Sequence, residues 1–407
     1  MKKTLDILMT DLGCEKYPER WNEFYNEVAA DLEKNGCKFA TPEYYDELGN
    51  KYDILVRFRD SYKAAASEVS KNEDLTLFLA LLCHSLNDRE NYSEDLKQLS
   101  MPKAPAGVPT LPYDMLPALA ICSLADYSYN KLKGMGLDDA TILSNLRIPE
   151  NGVWEYMKRN NGRPGYHLID WFQLAIEGRI FLINRLEMEL FSKFSANAVV
   201  FKNTNGETIA LADGMMIHNS GIALGSAHFE DEDGSFEATM SETDNSYIGH
   251  LIDDITGYVS QDTTELSKSE WTPVLRKGDT VVGVHIPPNG SLRDEDVEAT
   301  IAETREFIAR YFPEVDYKAF CCGSWLMDSQ LFDMVGHESN IAKFGKRFKK
   351  ITRKSNGKGV FYFVFLKMNG DTSYKIEDLP ENTRLEKSIK SFYLNDKAVY
   401  EIYGYFF

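Results

Sequence analysis

The hydrophobic period of the chain changes near residue 180, and no other feature constrains the fold as strongly. Over residues 17–34 the apolar side chains recur at three- and four-residue intervals, a spacing that places them on one face of a helix. Similar patterns continue to about residue 165, whereas Arg185–Leu190 alternates polar and apolar residues in the way typical of a strand. The sequence therefore predicts an α+β protein, with an all-helical N-terminal domain over 1–165 and a sheet-containing domain over 166–407.

Strands and helices alternate along the second domain. After a hairpin signal at Asn203–Gly206, the apolar run Thr280–Ile286 predicts a buried strand and the amphipathic segment 294–311 predicts a helix. Because that helix connects 280–286 to the next strand, 317–324, the two strands should pair in parallel through a right-handed crossover. Beyond them the pattern predicts a helix over 329–348, a strand over 359–367, a helix over 385–392 and a strand over 399–407.

The charge balance disfavours some classes of partner. Lys and Arg total 45 while Asp and Glu total 63, a net charge of −18 that disfavours nucleic acid and anionic membrane surfaces. The chain lacks an apolar run of the roughly 20 residues that span a bilayer, and it lacks the apolar N-terminal stretch of a signal peptide. Its six cysteines include no C-x-x-C pair, so we expect a cytoplasmic protein without disulfides or a bound metal.

Two segments depart from this average charge. The stretch 228–270 holds twelve acidic residues and one lysine, and it is either a lobe that attracts a cationic amine or a solvated loop. The stretch 339–369 holds no acidic residue, and its cations either contact an anionic ligand or form a solvated helix face. Eight of these cations lie close together: Lys343, Lys346, Arg347, Lys349, Lys350, Arg353, Lys354 and Lys358.

The turn after strand 280–286 is a candidate anion site. Residues 285–291 leave a buried strand and lead into a helix, where free backbone N–H groups and the helix dipole favour a phosphate. Gly290 would let the backbone approach such a ligand closely. The alternative is an ordinary capping box formed by Ser291 and Asp294, with Gly290 needed only for the turn.

Candidate acid–base and nucleophilic groups lie at the ends of the same strands. His285 ends strand 280–286 and could act as a base at neutral pH, although a lone histidine is commonly structural. Cys322 and Ser324 end strand 317–324. A hydrolase that uses the Cys322 thiol is one hypothesis; the other is that small residues there let a ligand or another backbone come close.

Four sequence blocks carry a resemblance to a known family. Asn184–Glu189 (NRLEME) lies at the domain junction, and Leu275–Pro287 (LRKGDTVVGVHIP), Cys322–Asp328 (CGSWLMD) and Glu338–Phe344 (ESNIAKF) follow in that order. Together they resemble the GNAT-like acyltransferase family of bacterial two-domain proteins, in which a helical N-terminal domain precedes a GNAT-like C-terminal domain. The resemblance is strong over 180–350 and rests mainly on helical pattern over 1–165.

This resemblance implies the acyl-CoA N-acyltransferase fold, a mixed sheet in which acyl-CoA lies between two splayed parallel strands, here 280–286 and 317–324. The acyl carbonyl would be held by backbone N–H at the splay, an oxyanion-hole arrangement. The helix after the second strand would lie beside the cofactor. The cofactor-binding residues implied in this way are Val284 and Ile286 at the splay, Asn289, Gly290 and Ser291 at the diphosphate, and Asn340, Lys343, Lys346 and Arg347 beside it.

The diphosphate turn departs from the family pattern. It has one glycine instead of two, and Pro287 and Pro288 cannot donate N–H groups. Acidic residues follow closely, at Asp294, Glu295 and Asp296. Either the cations of 343–358 neutralise the phosphates in an altered binding mode, or the cofactor site is lost.

Two functions from different classes remain open on the sequence alone. The first is an N-acyltransferase that uses acyl-CoA, with acetyl-CoA as the default donor, and acylates a small amine by direct attack. In that enzyme His285 would be the base, and Ser324 and Cys322 would return a proton or shape the pocket. The second is a catalytically silent GNAT-like module that binds a small anion or a protein partner through 343–358.

Overall fold

A computed structural model describes residues 3–230, 234–287, 290–367 and 373–407. The chain divides into two compact units, Met1–Leu182 and Ile183–Phe407. The last helix of the first unit lies downstream of the 165/166 boundary that the sequence predicts. Within the described residues no helix combines the length and the apolar character needed to cross a bilayer.

The first unit is built from helices, as the sequence predicts. The central helix α5 (Glu73–Asn87) packs against α2 and α8. Apolar side chains cover most of its circumference, as is typical of a buried helix, and almost all of them are buried. The helices are α1 (Leu5–Asp11), α2 (Trp21–Asn35), α3 (Pro42–Tyr52), α4 (Arg59–Val69), α5 (Glu73–Asn87), α6 (Tyr92–Gln98), α7 (Leu111–Asp114), α8 (Leu116–Cys122), α9 (Ala125–Gly134), α10 (Asp139–Leu146), α11 (Glu150–Arg159) and α12 (Ile169–Ile176), with a 3-10 turn at Lys38–Ala40.

The second unit contains two large sheets and a small one. The strands are β1 (Ile180–Ile183, which crosses the division between the units), β2 (Leu186–Lys193), β3 (Ala198–Asn203), β4 (Thr208–Ala212), β5 (Met215–Ile217), β6 (Phe236–Ala238), β7 (Ser241–Glu242), β8 (Ser246–Ile252), β9 (Val259–Ser267), β10 (Trp271–Leu275), β11 (Thr280–His285), β12 (Phe320–Ser324), β13 (Lys349–Ile351) and β14 (Ile402–Phe406). The first sheet has the order β1-β2-β11-β12-β14-β13, and the second has the order β10-β3-β4-β8-β7 with β9 paired to β8.

Five helices of the described residues accompany these strands. They are α13 (Asp294–Tyr311), α14 (Gln330–Val335), α15 (Asn340–Lys346), α16 (Gly359–Val364) and α17 (Arg384–Leu394), with 3-10 turns at Trp325–Met327 and Ile376–Asp378. Helix α13 connects β11 to β12, and these two strands pair in parallel. The predicted crossover unit is therefore confirmed, as is the β3–β4 hairpin.

Two predicted elements are wrong. The segment 359–367 contains helix α16 (Gly359–Val364) instead of a strand, because a short, mostly apolar run fits either structure and the tertiary packing decides. The predicted helix 329–348 is two helices, since Gly336 adopts a left-handed φ of 92° and Ser339 then caps α15 by accepting a hydrogen bond from Ala342 N.

The core of the second unit lies between the two large sheets. Val281 and Cys321 of the first sheet belong to one buried cluster with Val200 and Ala210 of the second. The opposite face of the first sheet meets α15 and its flanks, where a Cβ on Gly404 would lie 2.7 Å from Phe348 Cβ. Along each strand of the first sheet, alternate side chains therefore face the second sheet or the side of α15. Two side chains at neighbouring strand ends can meet only if they lie on the same face.

Candidate functional site

Strands β11 and β12 part at their carboxyl ends. They pair at Val282–Phe320 and at Gly283–Cys321. Beyond that point β11 stays paired to β2 as far as His285, and β12 stays paired to β14 as far as Ser324. Among the described residues the two strand ends do not pair with each other, so their facing backbone edges lie along an opening in the middle of the sheet.

His285 lies over Gly283, on the face of the sheet that also carries Cys321. A Cβ on Gly283 would be 3.2 Å from His285 Nε2. The pleat places Cys322, Ser324 and Val284 on the other face. The structure therefore does not bring His285 together with Cys322 and Ser324, although all three lie at the same end of the same pair of strands.

The imidazole of His285 is held by a carboxylate from β2. His285 Nε2 lies 3.1 Å from Glu189 Oε2, with the two side chains 31% and 13% exposed. Glu189 is opposite Gly283 in the strand register, and a residue without a side chain at 283 leaves the space in which the two groups meet. Glu189 was not predicted from the sequence. The pattern that could have indicated it is the alternation of acidic and apolar residues in β2.

Cys322 and Ser324 have surroundings that do not favour nucleophilic chemistry. Cys322 is buried, and this burial raises the pKa of its thiol to about 12, so that the reactive thiolate is scarce at neutral pH. Ser324 Oγ accepts a hydrogen bond of 3.2 Å from Leu326 N and thereby caps the 3-10 turn Trp325–Met327. Both residues shape the end of β12.

The turn between β11 and α13 is organised around an arginine that the sequence analysis did not single out. The Arg185 guanidinium donates to the carbonyl oxygens of Pro287 (3.0 Å), Gly290 (2.8 Å) and Ser291 (2.9 Å). Gly290 has a φ of 110°, a conformation that a residue with a side chain adopts only with strain. Pro288 and Asn289 lie outside the described residues.

The start of α13 has no side-chain cap. Its N-cap is Arg293, whose side chain makes no capping hydrogen bond, so the predicted capping box of Ser291 and Asp294 is wrong. The helix has 18 residues, and the N–H groups of its first turn have no partner within the helix. An anion could therefore accept hydrogen bonds from this helix end.

Cationic partners neutralise the acidic residues of that helix end. Arg347 donates to Asp294 and, at 2.6 Å, to Glu298, while Arg293 pairs with Asp296 at 2.7 Å and with Glu295 at 3.6 Å. The acids that would oppose a phosphate are thus paired. Of the predicted cations, Arg347 lies near the predicted turn. It contacts Asp294 and Glu298 of α13 and not the turn itself.

The other predicted residues of α15 are exposed. Asn340 is the first residue of the helix. Lys343 Nζ lies 3.8 Å from Glu338, and Lys346 Nζ donates to the His337 carbonyl at 2.9 Å. Ile286 follows β11 and is half-buried.

Acidic residues of the segment 228–270 lie on exposed strands and turns of the second sheet. Glu242 pairs with Lys268, and Asp254 pairs with Lys349. Asp253 and Asp254 lie in the turn that follows β8. Within the described residues no cluster of His, Cys, Asp and Glu side chains is arranged to hold a metal ion.

A cavity of about 440 Å³ opens beside the end of β12, on the His285 face of the sheet. Arg353 lines it, and a Cβ on Gly323 would lie 2.9 Å from Arg353 Nη1. Met215, Met216 and Leu224 supply apolar walls, and Lys354 adds a second cation.

Comparisons with known proteins agree with this architecture. A family model described as GNAT-like C-terminal domain matches residues 180–406. No match to a curated protein was found. Among solved structures, an acyltransferase in complex with decanoyl-CoA and teicoplanin is similar with a TM-score of 0.59 and 14% identity, over 98% of each chain. An acyltransferase in complex with decanoyl-CoA is similar with a TM-score of 0.54 and 17% identity, over 89% of this chain and 87% of that one. At these identities the likeness concerns the fold, and it confirms the predicted fold class.

Proposed function

The chain belongs to the GNAT-like C-terminal domain family, and we propose from this premise that it is an acyl-CoA-dependent N-acyltransferase that acylates a small amine by direct attack. One observation carries the proposal: β11 and β12 separate beyond Gly283 and Cys321, beside an uncapped helix N-terminus. If acyl-CoA enters this opening, backbone groups of the separated strands can contact its thioester. The N-terminus of α13 can then contact its phosphates. As the amine forms the new C–N bond, the C–S bond of the thioester would break, and CoA would leave as a thiolate that takes a proton from water.

We assign the phosphate-binding role to the turn and the start of α13. Gly290 and Ser291 would offer backbone N–H groups, and Asn289 is assigned with them as an expectation from the sequence. Arg185 orients their carbonyls inward, which directs the N–H groups of the turn away from the guanidinium. Arg347 would act indirectly, because it neutralises Asp294 and Glu298, which would otherwise repel the phosphates. Asn340, Lys343 and Lys346 remain candidate contacts along α15.

We assign the acyl carbonyl to the opening itself. Backbone N–H groups near Val284 and Ile286 would donate to the carbonyl oxygen as negative charge develops on it. Val284 is buried and holds the backbone in the sheet through its pairing with Met188. Cys322 and Ser324 keep the role of shaping the opposite strand.

We assign the base to His285. When Nε2–H donates to Glu189, the proton from the attacking amine goes to Nδ1, and the carboxylate stabilises the imidazolium that results. The Glu189 carboxylate fixes the ring in the same way that an acidic partner orients the histidine of other acid–base pairs. Removal of the proton makes the amine a nucleophile at the moment of attack.

We assign the acceptor to the 440 Å³ cavity, because it lies on the His285 face of the sheet. Its walls combine Met215, Met216 and Leu224 with Arg353 and Lys354. These cations favour an amine that also carries a carboxylate or another anionic group. This charge argues against a purely cationic acceptor, the option that the acidic segment 228–270 suggests.

Thermal unfolding with and without acyl-CoA tests the proposal. At about 100 times its dissociation constant, a ligand stabilises the folded state by roughly 2.7 kcal/mol, which raises the unfolding midpoint measurably. We expect acetyl-CoA or decanoyl-CoA to raise the midpoint, and we expect the rise to shrink with added salt because phosphate contacts are screened. If acetyl-CoA, decanoyl-CoA and free CoA all leave the midpoint unchanged, the cofactor site is lost and the silent binding module becomes the better account.

A further inference from the structure

A second cavity, of about 670 Å³, lies at the edge of the first sheet. It is formed by β13, the end of α15, helix α14 and the turn after β8. Strand β14 separates β13 from β12, so this cavity is distinct from the opening between β11 and β12. Its size suits a small organic ligand.

Lys350 lines this cavity, and among the described residues its ammonium has no carboxylate partner. Only 2% of the residue is exposed. Its Nζ lies 4.4 Å from the centroid of the Phe332 ring, and among the described residues it has neither a hydrogen-bond acceptor nor a carboxylate at ion-pair distance. Burial lowers the pKa of Lys350 to about 8, although Asp328, Asp253 and Asp254 at longer range oppose this.

The nearby carboxylates are already engaged. Asp328 accepts hydrogen bonds from Gln330 N (3.0 Å) and Tyr400 N (2.7 Å), and Asp253 accepts from Ile255 N and Thr256 N. Asp254 pairs with Lys349 at 3.0 Å. A buried ammonium without a partner is costly, and an anion that enters the cavity would remove that cost.

The walls beside Lys350 are partly apolar. Phe332 and Phe348 line the cavity, and Ile255 at its rim is 65% exposed. Lys346 lies at the rim, where its Nζ donates to the His337 carbonyl and, among the described residues, pairs with no carboxylate, so the entrance also favours negative charge. The cavity thus combines one buried charge with an aromatic surface, which fits a ligand with an anionic head and an apolar body.

We propose that this cavity binds a small organic carboxylate, whose head group pairs with Lys350 and whose apolar part packs on Phe332 and Phe348. Binding there does not depend on acyl transfer. Lys346 and Arg347 line this cavity and are also assigned to the proposed acyl-CoA site, but Lys350 has no role there, so binding at Lys350 can be tested whether or not acyl-CoA binds.

Calorimetric titration of the full-length protein with benzoate and with decanoate, at constant ionic strength, tests the site. We expect saturable binding that Lys350→Met weakens about tenfold to a hundredfold, because the variant loses a charged hydrogen bond to the head group. Lys358→Met is the matched control: Lys358 belongs to the same cationic run, is exposed and does not line the cavity. Equal affinity in the Lys350→Met variant, or tighter binding of inorganic phosphate than of benzoate, would overturn the proposal.

If Lys350→Met does not fold, a labelling experiment on the protein without substitutions tests the same proposal. At pH 8 an appreciable fraction of the Lys350 side chain is the neutral, reactive amine. Limited acetylation with acetic anhydride followed by peptide mass spectrometry should show that benzoate protects Lys350 and leaves Lys358 unaffected. Equal labelling of Lys350 with benzoate and with chloride at the same ionic strength would contradict the site.

Discussion

Replacement of His285 by alanine is expected to lower kcat for acyl transfer about 10²- to 10⁴-fold, the usual contribution of a positioned general base. Acyl-CoA affinity should stay within about twofold, since the proposed base role places the imidazole beside the amine and not beside the phosphates. Steady-state kinetics with one acyl-CoA and one amine, combined with a titration of acyl-CoA binding, measure both quantities. His250→Ala is the matched control, because His250 lies in the second sheet and its Nδ1–H donates to the Ser260 carbonyl at 3.1 Å.

The partner of His285 offers a sharper test of the same assignment. Glu189→Gln keeps an acceptor for the imidazole N–H but removes the charge that stabilises the imidazolium. We expect it to lower kcat while the affinity for acyl-CoA stays unchanged, because the imidazolium that forms during transfer loses its carboxylate. A Glu189→Gln variant with the kcat of the unmodified protein would remove Glu189 from this role. Full activity in His285→Ala would remove His285 from the base role.

Replacement of Arg185 by methionine is expected to raise the Kd of acyl-CoA about tenfold to a hundredfold and to destabilise the protein by about 1–3 kcal/mol. The guanidinium holds three carbonyl oxygens of the turn, those of Pro287, Gly290 and Ser291. Methionine has a similar length but no donors, so the turn would lose the arrangement that directs its N–H groups toward a phosphate. Equilibrium binding of acyl-CoA and thermal unfolding measure the two effects.

Arg293→Met controls for the loss of charge. Arg293 lies at the start of the same helix and pairs with Asp296, but it does not contact the carbonyls of the turn. Its removal should weaken acyl-CoA binding only a few-fold, through long-range electrostatics that added salt suppresses. If Arg293→Met loses as much affinity as Arg185→Met, the effect is one of net charge, and the positioning role of Arg185 is wrong.

The sequence predicts the architecture well where the pattern is regular. The change from a helical to an alternating period separates the helical part from the sheets, and the crossover through 294–311 predicts the parallel pairing of β11 and β12. The pattern fails at 359–367, where positions 360–366 are all aromatic or aliphatic and periodicity carries no information. It also fails at 329–348, where a single glycine, Gly336, decides between one helix and two.

The candidate site is harder to predict because it depends on register and on distant pairings. His285 ends β11 and Cys322 lies two residues before the end of β12, but the pairing of Gly283 with Cys321 places them on opposite faces. Arg185 and Glu189 lie about 100 residues before the turn and the histidine that they hold. Their block, Asn184–Glu189, carries part of the resemblance to the family, whereas its contacts follow only from the antiparallel pairing of β2 with β11.

The most direct test of the account is to follow acyl transfer itself. The full-length protein is mixed with decanoyl-CoA or acetyl-CoA and a panel of small amines with and without a carboxylate, and free thiol and N-acylated product are measured together. We predict that thiol release requires an amine, that it matches the N-acylated product one to one, and that the carboxylated amines react faster. If acyl-CoA binds but none of these amines is acylated, the protein is a silent module and the proposed enzyme is contradicted.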